Sequence, residues 1–74
     1  MVLLKNIVLI DFEDFDEKDP SERIVVGKVA ETGVECKYAK KGDRIIFDRY
    51  LVDVIDIDGV RYNSILESSV IAIL

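Results

Sequence analysis

An all-β fold is what the sequence predicts. Three observations carry that expectation: six or seven short runs rich in Val and Ile, turn signals about every ten residues, and no segment with helical periodicity. Such a pattern in 74 residues fits one small barrel or sandwich spanning residues 1–74, with no room for a second module.

The first run, Val2 to Ile10, is almost continuously apolar, as suits a strand covered on both faces. Residues 11–22 (DFEDFDEKDPSE) hold seven acids and one lysine. This net of -6 leaves +1 for the rest of a chain whose total is -5. Self-repulsion, Pro20 and the lack of periodicity make residues 13–22 a mobile acidic loop. Ile24 to Ala30 is the next strand, with Gly27 inside it marking a bulge or a close backbone approach. Thr32-Gly33 ends it, and a short segment, Val34 to Ala39, follows. Lys41-Gly42-Asp43 turns the chain into a strand over Arg44–Tyr50, with its successor over Leu51–Ile57. In that successor the adjacent Val54 and Ile55 break the period of two, as in a β-bulge or a two-sided strand. Asp58-Gly59 is the strongest hairpin signal, because a type I′ turn needs positive φ at both central residues. Val60–Leu66 is the return strand, Glu67-Ser68-Ser69 a brief turn, and Val70–Leu74 the last strand.

Several function classes lose support at this level. Ten basic against fifteen acidic residues do not make the basic face that phosphate binding needs, so no nucleic-acid partner is expected. No run of about 18 apolar residues spans a bilayer, the start lacks the layout of a signal peptide, and Cys36 is the single cysteine. No membrane partner and a cytoplasmic location are the expectations. With no histidine, the commonest general base is absent, and Cys36 has no imidazole to activate it. Asp53, Asp56 and Asp58 with Gly59 suggest a calcium loop, but Val54 stands where an oxygen ligand is needed. The sequence therefore predicts no enzyme, no cofactor and no metal site.

Both terminal runs are apolar on two faces, and chain ends commonly form sheet edges. An exposed apolar edge must be paired, covered or charged. One solution pairs the first strand of one subunit with the last strand of the next, a head-to-tail contact that closes into a ring. The other pairs the two ends within one monomer. Composition alone leaves these open.

Lys41 to Phe47 with Tyr50, then Ile57 to Tyr62, then Ile65 to Leu74 together resemble, in this order and spacing, the GroES-like co-chaperonin family. Lys41-Gly42-Asp43-Arg44-Ile45-Ile46-Phe47 with Tyr50 is similar to the family's entry into its central hairpin. Ile57 to Tyr62 continues the likeness, and Ile65 to Leu74 (ILESSVIAIL) is similar to its C-terminal signature. Leu4 to Ile10 and Gly27 to Gly33 stand where its first strands would be.

The resemblance implies a small β-barrel subunit in a seven-membered homo-oligomeric ring. That ring would cap an ATP-driven chaperonin ring and assist folding. Subunits would join through first-strand to last-strand pairing, which assigns Leu4, Ile7, Leu9, Val70, Ile71 and Ile73 to the interface. Two departures stand out. Only seven residues separate Thr32-Gly33 from Lys41-Gly42, so little or no roof hairpin is expected; trimmed members occur in viruses, which fits a phage-encoded chain acting in a host cytoplasm. The family's loop also grips the chaperonin through an apolar tripeptide. Ile24-Val25-Val26 resembles it but runs straight into strand sequence, which leaves Phe15 as the other candidate anchor. The alternative on the same fold is a ring-forming viral structural module without chaperonin binding, and a third reading is a monomeric barrel whose acidic loop binds one basic partner.

Overall fold

The computed structural model describes residues 2–11 and 23–74. Phe15 and the expected acidic loop lie outside the described residues. The chain is all-β, with strands β1 (Ile7–Asp11), β2 (Ile24–Thr32), β3 (Arg44–Asp48), β4 (Asp53–Ile57), β5 (Val60–Leu66) and β6 (Val70–Ile73), and single 3-10 turns at Arg49–Leu51 and Glu67–Ser69. They form one antiparallel sheet in the order β4-β5-β1-β2-β3-β6.

The sheet curls around a single core of Val8, Ile10, Val29, Ala39, Ile45, Phe47 and Ile65, with Val25, Val52 and Val70 packed against it. Val8 and Ile10 point into that core, as the period of two dictates, while Leu9 between them is buried as well, at 1% exposure. The strand with the most continuous apolar run is thus covered on both faces. It is not an edge: β2 and β5 pair with its two sides, which corrects the expectation that the first strand lies at the rim of the sheet. The physical reason is that a strand buried on both faces is best placed where its backbone is paired on both sides too. The strand is also shorter than the apolar run. Residues 2–6 form an arm bent at Lys5-Asn6, held by Val34 N–H donating to Leu3 O at 2.9 Å and Glu67 N–H donating to Asn6 O at 2.8 Å.

Gly27 sits in regular register opposite Ile45, so it is a close approach and not a bulge. A Cβ there would lie 2.8 Å from both Ile10 Cγ2 and Phe47 Cε1. Nor do Val54 and Ile55 bulge: β4 and β5 pair in unbroken register from Asp53↔Ser64 to Ile57↔Val60. The register shifts fall instead between Leu9 and Ile10 against β2 and between Ile46 and Phe47 against β6. Asp58 (φ 51°) and Gly59 (φ 80°) make the predicted hairpin turn. No strand stands between Thr32 and Arg44, in keeping with a missing roof hairpin.

Candidate functional site

β6 and the arm over residues 2–6 both leave apolar side chains exposed. β6 pairs with β3 alone, so among the described residues its outer edge presents unpaired backbone groups. That edge is apolar: Ile71 is 58% exposed, Ile73 41% and Leu74 63%, while Val70 turns inward onto the core. On the arm, Val2 and Leu4 are exposed, Leu4 at 71%. Ile7 is half-buried. Leu9, a predicted interface residue, is inside the subunit and presents no surface to a neighbour.

Glu67 ties these parts together. Its carboxylate accepts from three successive backbone N–H groups, Lys37 (2.8 Å), Tyr38 (3.0 Å) and Ala39 (2.9 Å), while its own N–H holds Asn6 of the arm. Partial burial opposes its ionisation, but the N–H groups of Lys37, Ala39 and Tyr38, with Cys36, outweigh that and hold the carboxyl below the usual glutamate range. Cys36 is a half-buried thiol that packs against the core 3.5 Å from Ile7 O, and burial with the neighbouring Glu67 pushes its pKa up.

A second clamp fixes the start of β2 at Arg23. Arg23 Nε donates to Asp48 Oδ2 at 2.6 Å, Tyr50 N–H donates to Asp48 Oδ1 at 2.9 Å, and Arg49 N–H donates to Arg23 O. Burial works against the charge on Asp48, and the Tyr50 N–H and the Arg23 guanidinium overcome it, leaving its carboxyl below the usual range.

Ile24-Val25-Val26 is strand, paired with Asp48, Phe47 and Ile46, and Val25 packs on the core. The tripeptide is therefore part of β2, with Ile24 half exposed at the strand's start. Asp53 and Asp56 lie in β4, and Asp58 serves the hairpin turn. No described helix is long and apolar enough to cross a membrane.

Sequence reasoning missed Glu67, which it assigned to a simple turn, because the three amides it binds come from residues about thirty positions away. It also missed Asp48, which ends β3 and caps the 3-10 turn. An Asp two residues ahead of the amide it accepts is a cap signature that was available in the sequence.

No protein-family model matches the chain. The chain is 33% identical over 81 residues to the co-chaperonin GroES of Thermodesulfovibrio yellowstonii, an alignment that takes in 96% of this chain and 92% of the relative. The chain belongs to the GroES co-chaperonin family. As a GroES-family member it is short: 81 aligned positions exceed its 74 residues, so the relative has residues without a counterpart here.

Proposed function

We propose that this chain is a co-chaperonin subunit that assembles into a seven-membered ring, caps an ATP-driven chaperonin in the cytoplasm and assists folding with no chemistry of its own. The observation that carries this reading is the unpaired apolar edge of β6 in a chain similar to GroES over nearly its full length. A head-to-tail contact between β6 of one subunit and the arm of the next covers Ile71, Ile73 and Leu4 together and closes into a ring. Val70 and Ile7 support that seam from their half-buried positions, and Leu9 supports it from within the subunit. Chaperonin contact falls to the acidic segment, with Phe15 as its aromatic anchor and Ile24 at its return. Each such contact is weak, but linked contacts on one ring raise avidity by about 10²–10⁴.

Native mass spectrometry tests the assembly. Seven subunits of 8.4 kDa give about 59 kDa, and Ile71→Asp with Ile73→Asp is expected to leave monomers. ATP-dependent co-sedimentation with a chaperonin, repeated with Phe15→Ala, tests the partner. A wild-type chain that stays monomeric at micromolar concentration overturns the proposal.

A further inference from the structure

The loop that replaces a roof hairpin, residues 33–43, carries a feature that ring assembly and chaperonin docking leave unused. Lys37-Tyr38-Ala39-Lys40-Lys41 places three lysines around one tyrosine in a chain whose net charge is -5. The backbone of this stretch is fixed from inside. Ala39 is buried in the core, the N–H groups of residues 37–39 are bound to Glu67, and Asp43 N–H closes a turn onto Lys40 O with Gly42 at φ 93°.

The neighbouring side chains go the other way. Tyr38 is 72% exposed, and Lys37 and Lys40 are exposed with no ion pair among the described residues. Lys41 is held 3.3 Å from Glu31. A large aromatic left in water on a pinned backbone is pre-organised to bind, since the ordering that association usually costs has already been met in folding.

We propose that the Lys37–Lys41 loop is a binding surface for an acidic segment of a partner polypeptide, with Tyr38 packing on an apolar or aromatic side chain and Lys37 and Lys40 meeting flanking carboxylates. A polypeptide fits better than a nucleic acid. Three lysines on a chain of net charge -5 do not form a basic face that tracks a phosphate backbone, whereas a tyrosine between two lysines matches carboxylates flanking a ring. The surface belongs to each subunit and does not depend on a chaperonin; a ring would repeat it and add avidity.

Fluorescence anisotropy of the full chain tests this, with a short labelled peptide rich in Asp and Glu around a central Phe as probe and a labelled single-stranded oligonucleotide beside it. Binding of the peptide is expected to weaken roughly tenfold in Tyr38→Ala and at least as much in Lys37→Glu with Lys40→Glu, the loss of a modest interface anchor. Glu67→Gln separates rigid display from charge alone. It removes a negative charge beside the lysines, so simple attraction of acids predicts tighter binding, while a loop released from its anchor predicts weaker binding. Tighter binding in Glu67→Gln, indifference to Tyr38→Ala, preference for the oligonucleotide, or no peptide binding at all overturns the proposal, whatever the chain does with a chaperonin.

Discussion

Gly33→Ala is expected to be the most damaging small substitution in the chain. A Cβ at this position would lie 1.6 Å from Lys5 O, 2.7 Å from Lys5 C and 3.2 Å from Ile7 N. Those atoms are backbone, so no rotamer change relieves the overlap, and the arm over residues 2–6 must leave its seat. Three hydrogen bonds depend on that seat: Gly33 N–H to Ile7 O (2.8 Å), Val34 N–H to Leu3 O (2.9 Å) and Glu67 N–H to Asn6 O (2.8 Å). At about 1 kcal/mol net for each, their loss amounts to about 3 kcal/mol. A domain of this size has a total stability of about 4–11 kcal/mol, so the loss is a large fraction of it. It corresponds to a fall in Tm of about 12 °C or more. Urea unfolding followed by circular dichroism reads the change directly. Gly42→Ala is the control. It meets nothing within 4 Å and suffers only its φ of 93°, which costs about 1 kcal/mol. If Gly33→Ala were within about 0.5 kcal/mol of wild type, or no worse than Gly42→Ala, the steric argument for the seat of the arm would be wrong.

Two further outcomes follow from the geometry. Gly27→Ala sets a methyl 2.8 Å from Ile10 Cγ2 and Phe47 Cε1; these are side-chain atoms that can give, so the expected loss is about 1–3 kcal/mol, smaller than at Gly33 and measurable by the same urea series. Glu67 and Asp48 both hold carboxyl groups lowered by folding, so the unfolded chain binds more protons than the folded one through the acidic range. Stability is therefore fully present above the ordinary carboxylate range and is lost as pH falls through the lowered folded values. In Glu67→Gln the thermal-melt profile against pH should be flatter there and lower at neutral pH, and an unchanged profile would remove Glu67 from the account.

Local chemistry was legible in the sequence wherever a residue's role is decided by its immediate neighbours. Asp58 and Gly59 turn because two adjacent positive φ values suit those residue types, and β5 occupies Val60–Leu66, the return strand that this turn implies. What failed depended on residues far apart in the chain. The run from Val2 to Ile10 looks uniform, yet its second half becomes a central strand and its first half an arm, because only Ile7 onward has β5 on one side and β2 on the other. Ile24-Val25-Val26 has the composition of a loop tip and of a strand alike, and pairing with β3 decides between them. At the candidate site Ile71 and Ile73 were readable as an exposed apolar edge, while Leu9 was not distinguishable from them until its neighbours on both sides were known.

The short β2–β3 connection and the β6 end of the sheet are linked through one carboxylate. The connection between β2 and β3 presents backbone amides outside any strand pairing, and unpaired backbone donors are costly wherever water is restricted. Glu67 receives three of them at once, and buried Ala39 seals the core beneath. Glu67 is also the last tie before β6, in the turn that leads to it, and it fastens the arm through Asn6. The short loop is thus anchored on the very residue that joins the two parts of the proposed seam. A mutation that loosens the loop should therefore weaken assembly as well as the fold, whereas Ile71→Asp should weaken assembly alone, because Ile71 is 58% exposed and outside the core. Native mass spectrometry beside urea unfolding separates the two. If Glu67→Gln lowered stability and left the oligomeric state untouched, the loop and the seam would be independent, and the short loop would be only a lid on the core.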